Sequence, residues 1–441
     1  MEGKRKHYLR PFAAVLACVL IAAMLIPVLA IQKKYGGVEE YWWEKNGGKV
    51  QYPCVLVHGL GGWGENSPQG EMTYFGGTTG SLAKYLRAAG YTVCVPSVGP
   101  FSSSWDRACE LYAQLAGKRV DYGAAHAKAH GHARYGRTYS EAMVPDWGKK
   151  INGGQMVKID LISHSFGGPT IAMLASLLAY GDEAERAATG KNTSALFTGG
   201  KADWVQSVTT LCSPHQGSSL ACAVEDLGSV VGVEDLPQLI VQTVHKYFLA
   251  TDGKFSFPVD LMLDQFGIGS KASTESDVET SVAKVGSSGI DHAFYDVSPD
   301  GAAKLYQKIR TVSSVYYFSY AFSTTKAGKL LRGQVPDGTN FYLYGTALAI
   351  GSYTGTSKGG IVMDETWQEN DGLVNVVSAQ YPAGAPHADF PDDAKLLKPG
   401  VWYVMPTKRG DHGSAVGGLK STAETHAFFD AIMERNSALK R

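Results

Sequence analysis

From Met156 the chain alternates apolar and polar residues, then turns apolar at Leu161-Ile162, the pattern of a half-buried strand running into a core. Residues 169–178 follow as a buried helix, with Pro169 tolerated in its first turn and Gly181 stopping it. Other stretches read the same way. Pro53-Cys54-Val55-Leu56-Val57 is a continuous apolar strand, and residues 91–96 and 205–212 are further buried strands. Helices are expected over residues 80–89, closed by Gly90, and over 102–115, with serine at the start. Strands and helices alternating at this spacing imply an α/β architecture, a mostly parallel central sheet with helices on both faces and right-handed crossovers.

Two junctions in this pattern carry chemistry. Between the strand and helix around residue 160 lies Ser163-His164-Ser165-Phe166-Gly167. Small residues two positions either side of Ser165 suit a sharp strand-to-helix turn, where the backbones nearly touch and the serine is held strained and exposed. The plainer alternative is a serine in an ordinary turn, since the bare spacing is common by chance. After the first strand comes His58-Gly59-Leu60-Gly61-Gly62-Trp63-Gly64, a glycine-rich loop that lets backbone approach a substrate closely. If Ser165 is a nucleophile, the N–H groups of Leu60 and Phe166 are the oxyanion donors expected from these two turns; otherwise the loop is an ordinary strand-to-helix connection.

A nucleophilic serine needs a base, and the base needs an orienting carboxylate. Three histidines follow the plausible acids. His426 falls in a terminal helix over 422–435 and His387 in a Pro/Ala/Asp loop. His412 follows a strand over 401–405 on a glycine-flanked loop, where it could reach back over the sheet. For the acid, Asp371 in the turn Asn370-Asp371-Gly372 leads, with Asp364 and Glu369 as neighbouring alternatives.

Composition narrows the class. Hydrophobic content of 44% against 19% charged residues excludes a disordered chain, and a formal net charge of +0 gives no basic footprint for nucleic acid. The N-terminus stands apart: Lys4, Arg5, Lys6 and Arg10 precede an apolar run from Phe12 to Ala30 that ends Val28-Leu29-Ala30. We read residues 1–30 as a cleavable secretory signal peptide, with an uncleaved membrane anchor as the alternative. Its removal leaves 37 basic and 40 acidic residues, a net charge of −3. No internal repeat or second domain is evident, so residues 31–441 read as one catalytic domain. Five cysteines remain after residue 30, with no C-x-x-C, and buried free thiols are expected; a Cys212–Cys222 bridge is the alternative.

Three histidines, His126, His130 and His132, fall within seven residues. Such a cluster suits a metal when carboxylates join it, or is a solvated polar loop; without H-E-x-x-H it is not a metalloprotease zinc site.

These features, with Ser104-Trp105-Asp106-Arg107-Ala108-Cys109-Glu110, Leu263-Asp264-Gln265-Phe266-Gly267, Tyr295-Asp296-Val297-Ser298 and Glu369-Asn370-Asp371-Gly372-Leu373-Val374-Asn375, together resemble the secreted true lipases of the thermoalkalophilic Geobacillus and staphylococcal group. The resemblance covers essentially the whole chain after residue 30. It implies an α/β-hydrolase fold with a zinc-binding insertion (about 104–140 and near 264) and a helical lid over about 214–250, where a core-packed helix pair is the alternative. It implies a catalytic set of Ser165, Asp371 and His412. It also implies a structural zinc on Asp106, His126, His132 and Asp264, with His130 outside the ligand set. The family's calcium site lies just after the catalytic histidine; Ser414 and Leu419 stand here in place of its acidic ligands, which counts against calcium.

The activity implied is that of a secreted triacylglycerol lipase, cleaving carboxylic esters at a lipid–water interface through an acyl-enzyme. A short-chain or polyester-degrading carboxylesterase is the alternative within enzymes. A catalytically silent lipid-binding protein is a third reading, against which the intact Ser, Asp and His set argues.

Overall fold

The computed structural model describes residues 52–440 apart from 67–72, 152–153, 232–259, 261, 268–288 and 330–332. The expected signal peptide and residues 232–250 of the expected lid therefore lie outside the described residues. No helix among the described residues is long and apolar enough to cross a membrane.

Seven strands make one sheet: β1 (Cys54–Val57), β2 (Val93–Cys94), β3 (Ile159–His164), β4 (Val205–Leu211), β5 (Tyr316–Tyr320), β6 (His387–Asp389) and β7 (Trp402–Val404). Their spatial order is β6-β7-β5-β4-β3-β1-β2, and every neighbouring pair runs parallel. This is the α/β-hydrolase architecture expected from the sequence. A parallel sheet must be covered on both faces, and the side-chain alternation of β1 and β3 shows how. Val55, Val57, Ile159 and Leu161 pack on one face with helices α2 (Ser104–Ala116) and α3 (Gly167–Tyr180). Cys54, Leu56 and Ile162 pack on the other with α1 (Leu82–Ala88) and with Phe429, Ile432 and Met433 of the C-terminal helix α5 (Thr422–Ser437). An earlier helix, α4 (Ser219–Val231), sits beyond the carboxyl ends of the strands, where Leu220 and Val224 pack on Ile350.

Boundaries shifted from expectation for identifiable reasons. Ser81 and Ser103 are caps rather than helical residues: their hydroxyls accept the N–H of Lys84 and Asp106, each at 3.3 Å, so α1 and α2 begin two residues later than expected, at Leu82 and Ser104. Residues 91–96 keep only Val93–Cys94 as strand, because β2 is an edge with β1 as its sole partner. The strand before Ser165 is fully buried rather than half-buried, since both its faces are covered. The five described cysteines are all free, so Cys212 and Cys222 do not pair.

The order of the sheet locates the site. From β1 the chain moves out to β2, then returns to the other side of β1 for β3 and continues away. The loops leaving the carboxyl ends of β1 and β3 diverge there, which is where ligands bind in open α/β sheets.

One buried charge on α2 has a measurable signature. Glu110 accepts hydrogen bonds from the Gly99 N–H (2.5 Å) and the Tyr122 hydroxyl (3.0 Å), yet burial pushes its carboxyl from 4.5 up to about 8. The native state then holds a proton that the unfolded chain has lost, so between pH 4.5 and 8 this group's contribution to stability falls as pH rises. Glu110→Gln, which cannot ionise, should gain on the unsubstituted protein by about 2–4 kcal/mol between pH 5 and pH 8 in denaturant titrations. A difference that does not change with pH would sink the assignment.

Candidate active site and metal cluster

Ser165 sits at the tip of the β3-to-α3 turn with φ of +55°, a conformation rare and strained for a residue with a Cβ. Its own N–H is tied to the Leu211 carbonyl at 2.8 Å. The need for small flanking residues is visible in the contacts. A Cβ on Gly167 would lie 2.6 Å from the Val57 carbonyl and 3.0 Å from the Ser163 Cβ. One on Gly59 would lie 2.7 Å from the Ser165 Cβ. The glycine loop after β1 and the serine turn after β3 are therefore pressed together, and Ser163 is about as large a residue as the −2 position admits.

Asp371 and His412 arrive from separate loops and are joined twice. The His412 Nδ1–H donates to Asp371 Oδ2 at 2.8 Å, and the His412 backbone N–H donates to the Asp371 carbonyl at 2.8 Å. The other carboxylate oxygen accepts the N–H groups of Leu373 (2.9 Å) and Val374 (2.8 Å). Gly372, at φ +102°, makes this Asn-Asp-Gly turn accessible. With Asp371 fixed as an acceptor, the imidazole keeps its proton on Nδ1 and leaves Nε2 free to act as a base. The alternatives lack this environment. Asp364 and Glu369 are exposed, His387 is exposed and stacked on Tyr381, and His426 is stacked on Tyr85.

A chain of hydrogen bonds ties the loops to one another. The Gly59 N–H donates to the Tyr74 hydroxyl (3.0 Å), which donates to His164 Nδ1 (2.6 Å); His164 Nε2–H donates to the His412 carbonyl (2.9 Å). Burial, then the neighbouring His412, pushes His164 well below the usual imidazole range, so it stays neutral as this chain requires. Neither Tyr74 nor His164 was assigned a role from sequence, because the contacts that define one are long-range. Around the serine, the N–H groups of Gly61, Gly62, Ser165 and Gly168 all have backbone acceptors, whereas among the described residues those of Leu60 and Phe166 have none.

The histidine segment folds as a short helix, Ala124–His130, followed by a turn that brings His132 back beside His126. Four donor atoms converge: Asp106 Oδ1, His126 Nε2, His132 Nε2 and Asp291 Oδ2, all within 4.8 Å of one another. The His126–Asp106, His126–Asp291 and His132–Asp291 separations are 3.2, 3.3 and 3.2 Å, and His132–Asp106 is 4.0 Å. A tetrahedral ion with bonds of about 2.0–2.2 Å needs ligand separations of about 3.3–3.6 Å. Each of the four atoms is buried without a hydrogen-bond partner among the described residues, which protein polar groups avoid unless an ion satisfies them. Two imidazoles and two carboxylates are a donor set suited to zinc.

The fourth carboxylate corrects the sequence reading. Asp264 is not in the cluster; its carboxylate is held by Arg137, whose Nε and Nη2 reach it at 2.5 and 2.9 Å. This fork engages both oxygens with the guanidinium, away from the four converging donor atoms. The segment around Asp264 still touches the cluster, through Gln265, which donates to Asp106 Oδ2 at 2.9 Å, and through Phe266, which packs on His132. Asp291 was missed, although it lies only four residues before the Tyr295-Asp296-Val297-Ser298 match. His130 stays outside the ligand set, its ring 4.6 Å from that of His126. Beyond His412, the Ser414 hydroxyl donates to Asp411 in a capping box, and Leu419 is exposed.

Comparison with known proteins places the chain in a lipase-like family. A family model described as "Lipase-like, C-terminal domain" matches residues 50–434. Lipase 2 of Staphylococcus aureus is 35% identical over 378 residues, covering 83% of this chain and 50% of the relative. The chain thus spans about half the length of the curated relatives it matches. Among solved structures, lipase 1 from Pelosinus fermentans is 36% identical with a TM-score of 0.72, covering 88% of this chain and 99% of that one. EstA from Clostridium botulinum is 32% identical with a TM-score of 0.76, covering 96% and 98%.

Proposed function

Since the chain belongs to the family of lipase-like C-terminal domains, we propose that it is a secreted triacylglycerol lipase that cleaves carboxylic esters with Ser165, His412 and Asp371. The observation that carries this reading is the buried Asp371–His412 pair, tied through His164 to a serine turn held at positive φ. In the proposed reaction, His412 Nε2 takes the Ser165 hydroxyl proton as the oxygen attacks the ester carbonyl. The unengaged N–H groups of Leu60 and Phe166 receive the oxyanion. His412 then returns the proton to the leaving alcohol, and water activated by the same imidazole releases the fatty acid. Asp371 stays ionised throughout and stabilises the imidazolium.

A lipid substrate is supported by the surface beside His412. Asn340 is hydrogen-bonded to Asp411, and the next residue, Phe341, is 80% exposed. Leu419, which follows the His412 turn, is 56% exposed. We assign residues 214–250 to a lid and 1–30 to a signal peptide on the sequence pattern, and read 31–441 as one catalytic domain. Asp106, His126, His132 and Asp291 would hold zinc; with all four positions filled by protein, the ion supplies structural cross-linking rather than chemistry.

The test compares hydrolysis of p-nitrophenyl butyrate, p-nitrophenyl palmitate and emulsified trioleoylglycerol by the zinc-loaded protein. Activity on all three is expected. Hydrolysis of the butyrate alone would replace the lipase reading by a short-chain esterase, and none on any would return weight to a lipid-binding protein.

A further inference from the structure

Arg107 is fully buried, and among the described residues no carboxylate forms an ion pair with it. A guanidinium taken out of water without a counter-ion is costly, so its donors must be spent elsewhere. Four directed contacts take them up. Nη2 donates to the His58 carbonyl (2.5 Å), Nη1 to the carbonyls of Gly99 (2.9 Å) and Gly59 (3.4 Å), and Nε to the Thr170 hydroxyl (2.8 Å). The Thr170 hydroxyl in turn donates to the Phe166 carbonyl at 3.2 Å, and the guanidinium carbon lies 5.0 Å from the centre of the Phe166 ring.

One of these partners decides where an unengaged N–H group points. The Gly59 carbonyl and the Leu60 N–H belong to one trans peptide plane and face opposite ways. Holding that carbonyl from below therefore aims the Leu60 N–H outward. His58 helps, since its Nδ1–H donates to the same carbonyl (2.9 Å) while Nε2 accepts from the Val98 N–H (3.0 Å). A cation on the carbonyl side also polarises the peptide and strengthens its N–H as a donor. On the other loop, Arg107 reaches the Phe166 carbonyl through Thr170 and the Phe166 ring directly, which ties the start of the helix after Ser165 to the same guanidinium.

We infer that Arg107 is a positioning residue that holds the β1 loop and the serine turn from beneath as one unit, aiming the Leu60 N–H at the oxyanion that it shares with the Phe166 N–H. This rests on the serine-hydrolase reading above.

The test uses p-nitrophenyl butyrate and the zinc-loaded full chain, with kcat expressed per serine titrated to completion by diethyl p-nitrophenyl phosphate. Removing one oxyanion donor outright costs about 10²–10³ in kcat, so misaiming a donor should cost less. Thr170→Val is expected to lower kcat about 10–100-fold with KM within about threefold. Thr170→Ser, which keeps the hydroxyl, should recover to within about threefold of the unsubstituted enzyme. Arg107→Lys keeps the charge but not the fork, and should lose at least as much as Thr170→Val. Because Arg107→Lys perturbs a buried site, Thr170 provides the variant that tests the idea without depending on its folding. Normal kcat per titrated serine in Thr170→Val, or a loss confined to KM, overturns the inference while leaving the hydrolase reading intact. Absence of any Ser165-dependent hydrolysis in the unsubstituted protein overturns both.

Discussion

Ser165→Ala is expected to abolish ester hydrolysis, with kcat falling by about 10⁶ where the assay can follow it. The size follows from what the residue supplies. In the proposed reaction its oxygen is the atom that bonds to the acyl group, and no other residue is assigned that part. Asp371→Asn should fall by a smaller factor, about 10⁴. The amide can still accept from Leu373 and Val374 and preserve the turn, but it gives His412 no carboxylate to fix Nδ1–H or stabilise the imidazolium. The double variant should lose no more than Ser165→Ala alone, because both residues act through one proton transfer. The measurement is kcat on p-nitrophenyl butyrate with protein concentration checked by absorbance and folding by circular dichroism. Full activity in Ser165→Ala would remove the nucleophile, and equal losses in Asp364→Asn and Asp371→Asn would remove the acid.

How much of this was legible beforehand depended on whether the signal was local. The serine turn was legible because its constraint acts within five residues: Gly167 must lack a side chain, and Ser163 must be small, for reasons set by the neighbouring backbone. The strands were legible because burial on both faces leaves long apolar runs, whereas the two-residue β2 showed as six. His412 and Asp371 were legible as a glycine-flanked histidine and an Asn-Asp-Gly turn, although pairing them needed chain order and family resemblance. Residues defined by distant contacts were not legible. Tyr74 meets His164 across 90 positions, and Arg107 meets Thr170 across 63. The fourth carboxylate failed for the same reason. Asp264 and Asp291 lie near one another in sequence, and only the position of Arg137 decides which of them is left free to face the histidines.

That decision leads to the second large effect. Removing the metal with 1,10-phenanthroline is expected to lower the melting temperature by at least about 4 °C. A ligand present at about 1,000 times its dissociation constant stabilises the native state by about 4 kcal/mol. An unfolding entropy of about 2.1 cal/mol/K per residue converts that to about 4 °C for a chain of 441 residues. The actual loss should exceed this floor. Without a cation, Asp106 and Asp291 face the same point in a buried site, and four polar atoms are left without partners. The substitutions separate the two candidate carboxylates. Asp291→Asn should reduce bound zinc well below one per chain by elemental analysis and lower the melting temperature as the chelator does. Asp264→Asn should retain full zinc, because its carboxylate serves Arg137, and should show only the milder cost of a weakened ion pair. The reverse pattern would restore Asp264 as the ligand, and a protein that binds no zinc with all four residues intact would remove the metal from the proposal.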